Sequence, residues 1–132
     1  MSSQIQLVMY EGYLARSPEM RYTANDKTVT NFRMASNNEY ISNGEKVKET
    51  IWLKVTVWGK LAEIVNNYCE KGSHVIVTGR LRANENGNPN EFELKAGGYG
   101  SSFEVVANQV RILSKKDIVT ELVSDEDDDL PF

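Results

Sequence analysis

Thr50-Ile51-Trp52-Leu53-Lys54-Val55-Thr56-Val57-Trp58 is the stretch on which the fold turns. Successive side chains of a strand point to opposite faces. Leu53, Val55 and Val57 form one aliphatic set; Trp52, Lys54, Thr56 and Trp58 form the other. The interior of a small barrel must be filled with apolar groups, and an unpaired ammonium cannot be left there. The aliphatic set therefore points inward and both tryptophans point outward, with Lys54 between them. Gly59 ends the strand and the period then changes. Leu61, Ile64, Val65, Tyr68 and Cys69 fall at i, i+3, i+4, i+7 and i+8, which predicts a helix over 60–71. Gly72 stands just past it, where a left-handed cap is expected.

On the N-terminal side, the apolar run 5–14 reads as a strand, with Gly12 marking a bulge or a close approach of backbone. Ser17-Pro18-Glu19 breaks it. Residues 28–36 alternate, with Val29, Asn31, Arg33 and Ala35 on one face and Phe32 and Met34 on the other. Residues 37–50 are polar and hold Asn43-Gly44, a hairpin-type turn signal. After the helix, 73–82 returns to alternation: Val75, Val77 and Leu81 share the parity of Gly79 and suit the interior, while His74, Ile76, Thr78, Arg80 and Arg82 take the other face. Residues 84–89 form a turn-rich loop, 92–94 a short strand arm, Gly97 to Gly100 a flexible segment and 103–113 the last strand. Five strands with one helix between the third and fourth match a five-stranded OB-fold Greek-key barrel. A small sandwich and an SH3-like barrel share the same pattern. The expected organisation is a barrel domain over 1–113 and a short linker with a disordered acidic C-terminal tail over 114–132.

The charge is divided between those two parts. The 132-residue chain has a formal net charge of −4. The segment from Ser114 onward holds seven acids and two lysines, and the body holds 13 Lys/Arg against 12 Asp/Glu. A near-neutral body can still carry a basic stripe if its charges are sorted by face. Cys69 is the only cysteine and His74 the only histidine, and no CxxC or HExxH spacing occurs. No intrachain disulfide is possible, metal and triad chemistry are poorly supplied, and neither a catalytic residue nor a cofactor is expected. The chain opens without a signal-peptide pattern and has no apolar stretch long enough to cross a membrane, so a soluble cytoplasmic protein is expected.

Two tryptophans on a solvent-facing strand need an explanation, because such a patch is rarely left bare. One reading makes them stacking platforms for unpaired bases, with Lys54 near the phosphates. The competing reading covers them with a partner subunit or with the loop around Tyr99. Arg33, Lys54, Arg80 and Arg82 favour the first, since alternation lets them converge around the rings, as a single-strand groove requires. Tyr22, Tyr40 and Phe92 are weaker aromatic candidates, and Lys46 and Lys48 form a rim. Asp125 to Asp129 are five consecutive carboxylates that cannot enter a core. Leu130-Pro131-Phe132 then closes the chain, a small hydrophobic hook suited to a basic, apolar pocket on another protein.

Several pieces, in order, resemble the bacterial-type single-stranded DNA-binding proteins. They are Ser17-Pro18-Glu19-Met20-Arg21-Tyr22-Thr23, Val29-Thr30-Asn31-Phe32, Trp58-Gly59-Lys60-Leu61-Ala62-Glu63, Tyr68-Cys69-Glu70-Lys71-Gly72-Ser73, Gly79-Arg80-Leu81 and the terminal Asp127-Asp128-Asp129-Leu130-Pro131-Phe132. The resemblance implies an OB fold, usually a homotetramer, that wraps single-stranded DNA without sequence preference in the cytoplasm, at the nucleoid. It places stacking at Trp52, Trp58 and Tyr40 and basic contacts at Lys60, Lys71 and Arg82. It makes the acidic tip a recruiter of replication, repair and recombination proteins. The arm where the family often carries a further tryptophan reads Asn84-Glu85-Asn86 here, which removes a ring and adds a charge. Phe92, Tyr99 and Phe103 are rings that could compensate. The linker before the tip is short, which reduces its reach. A different class is a protein-interaction adaptor on the same barrel, with DNA binding vestigial. RNA binding is a nearer variant, since unpaired bases stack alike.

Overall fold

The computed structural model describes residues 3–114. Seven strands and one helix run in the order β1 (Val8–Leu14), β2 (Glu19–Tyr22), β3 (Thr28–Ser42), β4 (Glu45–Trp58), α1 (Lys60–Tyr68), β5 (His74–Arg82), β6 (Asn90–Glu93) and β7 (Tyr99–Ser114). Five of these close a barrel in the circuit β1-β5-β7-β4-β3, returning to β1 through Tyr13 opposite Ala35 and Leu14 opposite Met34. The β4–β7 pair is parallel and the other pairs are antiparallel. This is the OB-type arrangement expected from sequence, with α1 between the third and fourth barrel strands. β2 lies outside the circuit against β3, and β6 forms an arm with β7.

The inward faces supply the core: Leu14, Phe32, Met34, Leu53, Val55, Val57, Val75, Val77 and Val105, with Ala62 and Val65 from the helix. Gly12 permits closure. A Cβ there would collide with the Ala35 carbonyl oxygen and lie 2.9 Å from Met34 Cε. Of the two sequence expectations at this glycine, the close approach is the one realised. The helix is tied to the barrel by the buried Thr30 hydroxyl, which donates to the Ala62 carbonyl at 2.8 Å.

Several expectations are corrected. The first strand starts at Val8, leaving Ile5 and Leu7 exposed. The second strand runs well past residue 36: β3 and β4 stay paired out to Ser42 opposite Glu45, around the expected turn with Asn43 at φ 53° and Gly44 at φ 81°. Both central residues take positive φ, which suits a tight hairpin. The helix ends at Tyr68, with Cys69 already extended, so Gly72 (φ 91°) belongs to the following turn instead of capping the helix. The helix buries Ala62 and Val65, with Cys69 buried just past its end, and Ile64 and Tyr68 are exposed. Residues 97–98 make the turn from which β7 starts, earlier than expected. Leu81 is 48% exposed despite its inward parity. The β1–β5 ladder ends at Val8 opposite Gly79, so no β1 residue remains to cover it. The linker and acidic tail, residues 115–132, lie outside the described residues.

Candidate nucleic-acid interface

On the outward face of β3 and β4, cross-strand pairs follow one another in register: Val29 with Trp58, Asn31 with Thr56, Arg33 with Lys54, Ala35 with Trp52, Asn37 with Thr50. Directly opposed residues share a face. The aliphatic packing of Leu53, Val55 and Val57 into the core therefore turns Trp52 and Trp58 outward, and they are 49% and 45% exposed. Six residues of strand separate the rings by about 20 Å, too far for one base to span. Thr56 has outward parity yet is buried, its hydroxyl donating to Asn31 Oδ1 at 2.9 Å. The Arg33 guanidinium carbon lies 5.5 Å from the Trp52 ring centroid.

The register continues across the barrel. Lys54 is opposite Glu104 on β7, and Glu104 is opposite Arg82 on β5. Arg33, Lys54, Glu104 and Arg82 thus form one row over four strands. Thr56 is opposite Val106, and Val106 is opposite Arg80, so Arg80 occupies the next row. A cleft of about 470 Å³ opens between Lys54, Arg82, Glu85 and Glu104. A smaller cleft of about 160 Å³ joins Arg16 and Ser17 to Arg33 and Lys54.

The remaining candidates are more dispersed. Lys60 opens α1 immediately after Trp58-Gly59 and is exposed. Lys71 is exposed and adjoins the smaller cleft through its backbone N–H, which donates to the Ser17 hydroxyl at 3.3 Å. Tyr40 stands on the β3–β4 arm, paired with Val47; Tyr22 stands on β2, opposite Thr28. Both are exposed, but both carry the parity of Met34 and Phe32 instead of that of Arg33. Alternation thus assigns them to the opposite face from the tryptophans. The tip residues Asp127 to Phe132 are outside the described residues.

Sequence reasoning missed Arg16 and Glu104. Arg16 sits in a loop with no periodic signal. Glu104 becomes a neighbour of Lys54 only through a parallel pairing that local pattern does not reveal. It is 8% exposed, and among the described residues no ion pair within 4 Å engages it. A carboxylate in a row of cations opposes an anionic ligand. Glu104→Gln, nearly the same shape, is expected to raise affinity for a polyanionic strand about fivefold at low salt. The slope of log affinity against log salt should stay unchanged, because the cations that release counterions are intact. Titrations at three salt concentrations check both.

The closed barrel, its helix between the third and fourth strands and its outward ring-and-cation face define an OB-fold module. Residues 5–113 match the family model described as "Single-strand binding protein family". The chain is 32% identical over 121 residues to a single-stranded DNA-binding protein of Thermotoga maritima, covering 91% of this chain and 82% of that one. It is 33% identical over 118 residues to single-stranded DNA-binding protein 1 of Chlorobaculum tepidum, covering 89% and 70%. A chain of the Plasmodium falciparum SSB complex with ssDNA matches with a TM-score of 0.69 over 86% of this chain and 99% of that one. At 17% identity that likeness speaks for the fold alone. This chain belongs to the single-strand binding protein family.

Proposed function

We propose that the chain binds single-stranded DNA without regard to base sequence and serves replication, recombination and repair as a non-catalytic coating protein. The observation that carries this reading is the outward display of Trp52 and Trp58 on one strand, with Lys54 between them and Arg33 opposite Lys54. Rings accept any base by stacking, and cations track the phosphates, so affinity without sequence preference follows. Arg80, Arg82, Lys60 and Lys71 extend the cationic surroundings, and Tyr40 and Tyr22 are additional rings at greater remove. Family membership and the names of the relatives support the same ligand. Among the described residues, no helix is long and apolar enough to cross a membrane.

One barrel offers a short footprint, so assembly of copies, with a homotetramer as the expected state, multiplies the contacts. The test of binding is tryptophan emission on titration with oligo-dT at moderate salt. Quenching that saturates supports the reading; unchanged emission with no retained oligonucleotide refutes it. Light scattering with and without oligo-dT gives the stoichiometry, and competition with an RNA oligomer separates the two nucleic acids.

The tip Asp127-Asp128-Asp129-Leu130-Pro131-Phe132 is the proposed hook for replication and repair proteins, its apolar end entering a pocket and its carboxylates meeting basic groups. Deleting Leu130–Phe132 is expected to abolish partner recruitment and to leave oligo-dT affinity within about twofold, since the tip has no cation for the phosphates and its one ring, Phe132, follows a run of carboxylates that repels them. An equal loss of both activities contradicts this division of labour.

A further inference from the structure

We propose that Asn43 is a self-modifying site: its side-chain amide is lost through attack by the adjoining backbone, and the carboxylate that replaces it weakens the hold of the β3–β4 arm on single-stranded DNA. The chemistry stands on its own; the effect on binding rests on the DNA-binding reading above. An asparagine followed by glycine is prone to this reaction, because glycine has no Cβ to obstruct attack through its nitrogen. The chain has two such pairs, Asn43-Gly44 and Asn86-Gly87, both exposed and both between strands.

At the second pair the attacking nitrogen is occupied. Gly87 N–H donates to the Asn84 carbonyl at 3.0 Å. Asn84 Oδ1 also accepts from Asn86 N–H at 2.9 Å and from Asn88 N–H at 3.0 Å, and Asn84 Nδ2 donates to the Pro89 carbonyl at 3.2 Å. Reaction there requires this cage to open first. At the first pair, Gly44 N–H makes no hydrogen bond among the described residues. A Cβ built on Gly44 would meet nothing within 4 Å, so the space beside that peptide is open to solvent.

Solvent base removes the Gly44 amide proton, and the nitrogen attacks Asn43 Cγ. The Cγ–Nδ2 bond breaks, and ammonia leaves with a proton taken from solvent, closing a cyclic succinimide. Water then opens the ring at either carbonyl. Attack at Cγ gives aspartate; attack at the main-chain carbonyl gives isoaspartate, whose backbone is longer by a methylene. Nothing is oxidised or reduced, and either product carries a new negative charge. Over residues 37–50 the arm holds Glu39, Glu45 and Glu49 against Lys46 and Lys48, so the added carboxylate takes its net charge from −1 to −2. Lys46 is already paired with Glu39 at 3.2 Å, which leaves little cation to offset the change. A polyanionic strand is opposed accordingly. The isoaspartate also lengthens the tight turn that sets Ser42 opposite Glu45.

The test ages the full chain at mildly alkaline pH in water enriched in heavy oxygen and follows both pairs by peptide mass spectrometry. In the folded chain Asn43 is expected to convert at least about fivefold faster than Asn86, and in denaturant the two rates should converge to within about twofold. Asn84→Ala, which removes the acceptor of two loop N–H groups, should speed conversion at Asn86 and leave Asn43 unchanged. Asn43→Asp reproduces the aspartate product. It is expected to bind labelled oligo-dT about twofold more weakly than the parent at low salt, with the difference gone at high salt. The site assignment is overturned if Asn86 converts as fast as Asn43 in the folded chain, or if Asn43 stays intact while the denatured chain converts. The role in binding is overturned if Asn43→Asp matches the parent at low salt. A parent chain that fails to bind oligo-dT removes the DNA-binding reading and the role in binding, and leaves the mass-spectrometric assignment standing.

Discussion

Trp52→Ala lowers affinity for single-stranded DNA about tenfold or more, and by the same factor on oligo-dT, oligo-dC and oligo-dA. A base stacked on an aromatic side chain contributes about 1–3 kcal/mol, largely independent of which base it is. Trp52 is half exposed on the outer face, so the ring is available without rearrangement of the core. Its loss also removes the surface under Arg33, whose guanidinium stands 5.5 Å from the ring centroid. A cation over a ring at an exposed site contributes about 0.5–1 kcal/mol and here orients a phosphate-seeking group. Fold stability should change little, since surface substitutions rarely move it by more than about 0.5 kcal/mol. Anisotropy titrations on three homopolymers, with a thermal melt of the same sample, check all three statements. A loss restricted to one homopolymer would point to base readout instead of stacking.

Gly12→Ala destabilises the barrel by about 3 kcal/mol or more. The added Cβ meets the carbonyl oxygen of Ala35, a backbone atom that cannot swing aside, and also Met34 Cε at 2.9 Å. β1 pairs with β3 at Tyr13 opposite Ala35 and Leu14 opposite Met34, so the collision falls on the closure of the sheet. One further bond belongs to that closure: Ala15 N–H donates to the Arg33 carbonyl at 2.8 Å. For a domain of this size the melting temperature should fall by roughly 10–20 °C. A melt within a few degrees of the parent would mean that β1 and β3 part easily and that the barrel is not closed as described.

Much of this was legible in the chain because burial imposes a period. Leu53, Val55 and Val57 alternate with Trp52, Lys54 and Trp58, so one strand revealed both the core and the candidate site. The arm over 37–50 was not legible as strand. Asn37, Asn38 and Glu39 are polar in succession, and an arm outside the barrel has no buried face to impose alternation; only Asn43-Gly44 betrayed the hairpin. Leu81 shows the converse case, where correct parity fails because the strand outruns its neighbour. At the helix, Ile64 and Tyr68 fit the apolar spacing, yet Ala62, too small to stand out in a sequence, takes the buried position. Cross-strand register is the larger gap. Local pattern assigned Arg33, Lys54 and Arg82 to outward faces, but only the pairing of β4 with β7 brings Glu104 between them. Tyr40 illustrates the cost of that gap, since a ring in the right region stands on the other parity.

The central claim is that unpaired nucleotides lie across the outward face that carries both indoles. Trp52 and Trp58 are the only tryptophans, so a proton–nitrogen correlation spectrum contains two indole N–H signals, assignable by single substitutions. Titration with oligo-dT should move both signals and saturate them at the same stoichiometry as binding measured by anisotropy. Two indole signals left in place while the oligonucleotide is demonstrably bound would contradict the account.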